Sequence, residues 1–204
     1  MSKIAIIGAT GKVGSQLLAE ALRRGHTVTG IARNVSSLEG RDGVIGRSVD
    51  VLDAGALAEV VAGHDAVFSS AHFGGIPASA IVGPVKKAGV GRLLVVGGAG
   101  SLYAAPGMRV IDTPNFPSAY KAEAEAGAVF LEALHAERDL DWTFVSPSAE
   151  FVDGARTRKF RLGRDELLVD GTGRSWISFQ DFAIAFLDEF EKPAHLRQRF
   201  TVGY

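Results

Sequence analysis

An α/β fold of the doubly wound kind, a parallel sheet with helices on both faces, is predicted for this chain by three observations. Its first residues run from a short apolar strand into a glycine turn and on into a helix. Apolar runs of strand length then alternate with helical periodicity along most of the chain. No repeat, low-complexity tract or linker divides the 204 residues, so residues 1–204 read as one domain with a substantial core.

The first unit carries the most information. Lys3 to Ile7 is a buried strand, and glycines follow as Gly8, Gly11 and Gly14. Gly8 allows the sharp turn off the strand, Gly11 lets the backbone come close to a bound pyrophosphate, and Gly14 lets helix pack on strand. The helix that follows aims its unpaired N–H groups and positive dipole end at that pyrophosphate. A Walker loop is excluded, because the interval from Gly8 to Lys12 is too short and Val13 stands where that loop needs Ser or Thr. The unit therefore predicts a Rossmann-type dinucleotide site.

The remaining elements follow in order. Leu17, Leu18, Ala21 and Leu22 give a helix over Ser15–Arg24, closed by Gly25. Strands are predicted at Thr27–Ala32, Gly43–Val49, Asp65–Ser69, Arg92–Val96 and Trp142–Val145, with helices at 54–62, 78–88 and 118–137. Pro84 should kink the second of these helices or delay its start. Residues 98–117 read as a long irregular stretch, the kind that is usually functional. Residues 150–176 form a small excursion on the substrate side. A last helix follows, with Ser178 and Asp181 at capping-box spacing, and a final strand is expected at Phe200–Val202.

Composition excludes several functions. A net charge of −1 offers no broad basic field for nucleic acid or an anionic membrane. The absence of cysteine rules out disulfides, thiolate metal sites and a cysteine nucleophile, and fits a reducing cytoplasm. No run reaches the roughly 18 apolar residues of a membrane span. The chain enters its first strand by Lys3, which argues against a cleaved signal peptide. The five histidines show no paired ligand spacing, so no metal is expected.

The end of the second strand distinguishes the two nicotinamide dinucleotides. A carboxylate there binds the ribose 2′-hydroxyl, whereas an arginine accommodates a 2′-phosphate. Arg33 stands 19 positions after Gly14, with no acid until Glu39, so NADP is preferred over NAD. An exposed loop arginine is the plain alternative. Asp50 and Val51, after the third strand, are expected at the adenine, with Asp53 capping the next helix. Ser70 and Ala71 end the fourth strand with side chains small enough for a cofactor to pass.

These segments, with Val96 to Leu102, Ser146 to Phe151 and Ile177 to Ala183, resemble the short-chain dehydrogenase/reductase superfamily in its atypical NAD(P)H-binding branch. Within it the NADH-flavin reductase group, related to the flavin/biliverdin-IXβ reductases, is most similar. The resemblance implies a Rossmann-type fold and NADPH or NADH as hydride donor. It also implies that Thr10, Lys12 and Val13 join the glycines around the pyrophosphate and that Pro147 and Ser148 lie near the nicotinamide.

One familiar feature of the superfamily is missing. Its Tyr-x-x-x-Lys pair uses the lysine to lower the tyrosine pKa for protonating a carbonyl oxygen. Four residues after Tyr103 and Tyr120 stand Gly107 and Ala124, and Tyr204 is the last residue. The adjacent Tyr120 and Lys121 would project ~100° apart on a helix. The expected acceptor is therefore a flavin, with FMN or FAD entering as substrate, or a quinone-like ring. Ser101 and His72 are the only candidate catalytic side chains. The basic run from Arg156 to Arg161 is either a solvated strand face or a greeting surface for an anionic substrate. Two other functions stay open at this point: a non-catalytic NADP(H)-responsive regulator, and an epimerase or reductase of another substrate. Neither a monomer nor a homodimer is excluded.

Overall fold

The computed structural model describes residues 1–204. Its elements are β1 (Lys3–Ile7), α1 (Lys12–Arg23), β2 (Thr27–Ala32), β3 (Val44–Ser48), α2 (Ala54–Val61), β4 (Ala66–Ser69), α3 (Ser79–Lys87) and β5 (Arg92–Val96). There follow β6 (Tyr103–Ala105), β7 (Met108–Arg109), α4 (Ser118–Ala136), β8 (Asp141–Pro147), β9 (Glu150–Val152), β10 (Arg161–Gly163), β11 (Trp176–Ser178), α5 (Phe179–Glu191) and β12 (Gln198–Gly203). Eight strands form one sheet in the order β10-β12-β8-β5-β4-β1-β2-β3, and all are parallel except β10, which runs antiparallel to β12. The chain winds outward in both directions from the β1–β4 pair. That reversal is the switch point at which open α/β sheets bind ligands.

The two-residue period of the strands divides the core. Ile4, Ile6, Val28, Phe68, Leu94 and Val145 face α1 and α5, packing on Leu17, Leu18, Phe182 and Phe186. Ala5, Ile7, Ile31, Val67, Val95 and Phe144 face α2, α3 and α4, packing on Leu57, Val85, Phe130 and Leu134. Near-continuous apolar strands are what a parallel sheet covered on both faces requires.

The departures from expectation have local causes. Helix α1 begins at Lys12 rather than Ser15, directly on Gly11, with no side chain capping it. Pro84 neither delays α3 nor ends it, and sits inside the helix as part of its buried face. The stretch 98–117 is not irregular throughout. It contains the β6–β7 hairpin, turned at Gly107 with φ +75°, and a 3-10 turn over Val110–Asp112. The excursion 150–176 contributes β10 to the main sheet, while β9 and β11 pair with each other. At α5, Ser178 Oγ accepts the Asp181 N–H at 3.0 Å. The Asp181 carboxylate does not reciprocate; it accepts from the Arg158 N–H at 2.9 Å, the Tyr204 hydroxyl at 2.8 Å and the Thr157 hydroxyl. The basic run is dispersed: Arg156 pairs with Glu20, and Arg161 binds the carbonyls of Val169 and Tyr204.

Candidate cofactor and acceptor site

Every strand of the parallel sheet ends on the same edge, and the register brings the predicted residues into one row there. Ile7 pairs with Ile31 and Ser69, so Gly8 stands level with the ends of β2 and β4. Gly8 has φ +77°, and a Cβ on it would lie 2.6 Å from the Ser70 carbonyl oxygen. Both the turn and the neighbouring β4 end exclude a side chain. A Cβ on Gly14 would overlap the Gly8 carbonyl, so the helix packs on the turn as well as on the strand. Gly11 differs from both. Its φ is −74°, and the nearest atom to a Cβ there is the Gly8 oxygen at 3.2 Å. The fold itself makes only a mild demand for glycine at this position.

The first turn of α1 is an unclaimed donor set. Ser15 N–H is the first to find a carbonyl, that of Gly11 at 2.9 Å, while the amides of Lys12, Val13 and Gly14 have no acceptor in the protein. No side chain caps the helix and no acid lies in its first turn. Thr10 and Lys12 are exposed beside it, and Lys12 forms no ion pair. This arrangement accommodates an anion such as a pyrophosphate.

The β2 and β3 ends are laced together. Val49 N–H donates to the Ala32 carbonyl at 3.1 Å and Ser48 Oγ to the Arg33 carbonyl at 2.8 Å. The Arg33 side chain is exposed and has no carboxylate partner. Asp50 Oδ1 accepts from Leu52 N–H at 3.0 Å, and Asp53 caps α2 by accepting from Ala56 N–H at 3.0 Å. Arg33, Asp50 and Val51 thus share one corner of the edge.

Beyond β4 and β5 the edge opens into a cavity of about 740 Å³. Gly97, Gly98 and Gly100 line it on the β5 side, and Phe73, Phe116, Tyr120 and Phe151 are among its aromatic walls. Two of these rings are fixed by packing. Phe73 stacks against Phe144 at 5.9 Å and meets Phe130 edge-on at 5.1 Å, while Phe151 lies 4.7 Å from both Phe179 and Phe182. Glu123 accepts from the N–H groups of Phe73 and Gly74 at 2.7 and 2.9 Å, clamping the loop after β4 onto α4.

The predicted site residues fare differently. Ser101 lines the cavity. His72 does not, and its side chain is 93% exposed. Ser70 and Ala71 lie beside Gly8 at the turn. Pro147 is buried at the end of β8, and the Ser148 hydroxyl turns away from the edge to donate to the Val202 carbonyl at 3.1 Å, leaving only its backbone for a ligand. Sequence reasoning missed Phe73, Phe116, Glu123 and Phe151. One signal was available on α4, where Tyr120, Glu123, Ala124 and Gly127 recur at three- and four-residue spacing with too little bulk for a core face.

Fold and edge together define an NAD(P)H-binding protein of the Rossmann type. The chain belongs to the family described as NAD(P)H-binding, which matches residues 8–191. Three solved structures resemble it over its whole length. A Burkholderia pseudomallei protein, provisionally described as exported, is 44% identical with a TM-score of 0.92 and is covered completely. A Bacteroides thetaiotaomicron protein, provisionally described as an epimerase, is 41% identical with a TM-score of 0.94 and is 97% covered. A Streptococcus pneumoniae protein, provisionally described as an NADH-flavin reductase, is 33% identical with a TM-score of 0.87 and is 99% covered. No helix of the chain is long and apolar enough to cross a membrane.

Proposed function

We propose that this chain is an NADPH-dependent reductase delivering hydride to a flavin or quinone-like ring, with residues 1–204 acting as one unit and 150–176 as its acceptor-side segment. The observation that carries the reading is the cavity beyond β5, with glycines along one side and aromatic rings on others, on the same sheet edge as the donor-rich turn. Glycines admit a flat ring to close approach, and fixed aromatic rings hold it by stacking. Bound NADPH supplies the hydride, and the second proton of the two-electron reduction comes from water.

The chain's own residues bind and orient. Gly8, Gly11 and Gly14, with Thr10 and the amides of Lys12 and Val13, hold the pyrophosphate; Arg33 binds the 2′-phosphate; Asp50 and Val51 meet the adenine. Ser70, Ala71, Pro147 and the Ser148 backbone flank the nicotinamide, and Ser101 presents its hydroxyl to the acceptor. Rate enhancement then comes mainly from holding two rings face to face. Tyr120 lines the cavity but is 67% exposed, and Ala124, four residues on, packs against Gly100 where the superfamily's lysine would stand.

The test is NADPH oxidation with and without FMN, riboflavin and menadione. Acceptor-dependent oxidation supports the reading, whereas NADPH binding without turnover for any of them favours a regulator. Arg33→Ala should weaken NADPH by about 1.5–3 kcal/mol for the lost charge-assisted bonds, roughly 10- to 150-fold, and leave NADH little changed. Equal losses for the two cofactors would remove Arg33 from the site. Tyr120→Phe should lower turnover by less than about tenfold, below the usual contribution of a general acid. A loss of several hundredfold with NADPH affinity intact would restore a tyrosine proton donor.

A further inference from the structure

One nearly buried cation, behind the Ser101 that lines the cavity, has no part in the reading above. Arg199, on β12, has a side chain only 7% exposed. Its Nε and Nη2 both donate to Asp165 Oδ1, at 2.9 and 2.5 Å. Its Nη1 donates to the Ser101 carbonyl at 2.9 Å and to Ser101 Oγ at 3.0 Å. Three segments remote in sequence, around 101, 165 and 199, therefore meet at a hydroxyl in the cavity wall. The guanidinium occupies one lone-pair direction of Ser101 Oγ, and the hydroxyl hydrogen has no acceptor in the protein. What remains is a free donor at the cavity wall, polarised by a neighbouring positive charge.

We propose that Arg199, anchored by Asp165, is a positioning residue that fixes Ser101 as a hydrogen-bond donor to an oxygen of the acceptor. The proposal rests on the reductase reading and narrows its substrate class to rings that carry a carbonyl or imide oxygen next to the atom receiving hydride. As hydride arrives, negative charge gathers on that oxygen, and a donor already aimed at it costs no reorganisation. Only a planar fork spans Asp165 and both Ser101 atoms at once, so lysine is no substitute. The segment does not depend on Arg199 for its shape: Tyr103 N–H donates to the Asp165 carbonyl at 2.8 Å and Leu167 N–H to the Tyr103 carbonyl at 2.9 Å.

The test compares Arg199→Met, Arg199→Lys, Ser101→Ala and the Arg199→Met/Ser101→Ala double variant. Each is assayed at saturating NADPH with menadione, which carries ring carbonyls, and with methylene blue, which accepts hydride but has none. Thermal unfolding and NADPH affinity are measured alongside. Each single variant should lower kcat with menadione by roughly 100- to 1,000-fold, the scale of one lost donor to a developing oxyanion, while NADPH affinity stays unchanged. Arg199→Lys should behave like Arg199→Met. The double variant should lose no more than either single one, because both substitutions remove the same interaction. Turnover of methylene blue should be unaffected. Losses that multiply in the double variant, or that fall equally on methylene blue, would make Arg199 a merely structural tie and overturn the proposal. A wild-type protein that oxidises NADPH with neither acceptor would overturn the reductase reading, and the proposal with it.

Discussion

Gly11→Ala is expected to abolish NAD(P)H binding while leaving a cooperative thermal transition close to that of the parent. A Cβ at this position has one close neighbour, the Gly8 oxygen at 3.2 Å, which the turn can accommodate by a small shift. It would project at the mouth of the α1 N-terminus, where the Lys12, Val13 and Gly14 amides lack protein partners. A methyl group there holds a diphosphate away from those donors, and charge-assisted bonds weaken steeply with distance. Gly14→Ala makes the contrast. Its Cβ meets the Gly8 carbonyl head-on, so helix and turn must separate, at a cost of about 3 kcal/mol typical of overpacking. Calorimetric titration with NADPH and thermal melts of both variants decide the matter. Normal binding by Gly11→Ala would mean that the backbone of this turn does not approach the cofactor.

Glu20→Gln is expected to lower the stability of this chain substantially. The Glu20 side chain is 3% exposed, yet it receives Arg23 at 2.6 Å, Arg24 at 2.9 Å and Arg156 through two bonds at 2.8 and 3.0 Å. Burial pushes its carboxyl up, but the bonds from the three arginines outweigh that and hold it at about 2. Removing the carboxylate leaves Arg23 and Arg156 without an ionic partner, while Arg24 keeps Asp188 and Glu191; breaking a buried pair in this way costs about 3–5 kcal/mol. For a chain of this size that corresponds to a melting temperature lower by roughly 6–20 °C. The folded carboxyl titrates below its ordinary value of 4.5, so the unfolded state binds more protons between the two values. The contribution is therefore complete above about pH 4.5 and disappears as pH falls towards about 2. Stability of the parent and of Glu20→Gln, followed by denaturant unfolding, should converge over that window. A difference below 1 kcal/mol at neutral pH, or one independent of acid, would contradict this account. The effect reaches the site as well. Arg156 belongs to the segment whose strand β9 lines the cavity, so Glu20 ties α1 to the cavity wall.

Local patterns carried most of the fold. The continuous apolar runs of β1, β4 and β5 and the apolar stripe of α1 declare themselves because each element's own burial is written into its residues. The excursion was not legible in the same way. Strands β9, β10 and β11 are three residues each, too short for a period to show, and they exist because β12 and one another offer open edges. Ser148 illustrates the same limit within the site. Its position at the strand end was readable, but the direction of its hydroxyl was decided by β12 arriving from more than 50 residues away.

By itself the amino-acid sequence determined a dinucleotide-binding α/β fold, its glycine turn and the corner that holds Arg33 and Asp50, because those features lie within a few residues of strand ends. Only the tertiary structure decided what lines the cavity beyond β5. Phe73, Phe116, Glu123, Phe151 and the Asp165–Arg199–Ser101 chain come from loops, α4, β9 and the last strand, and no spacing along the sequence records that they meet. A contiguous motif is legible because one stretch of backbone performs one task. A cavity built by separate segments is legible only once the sheet has set their distances.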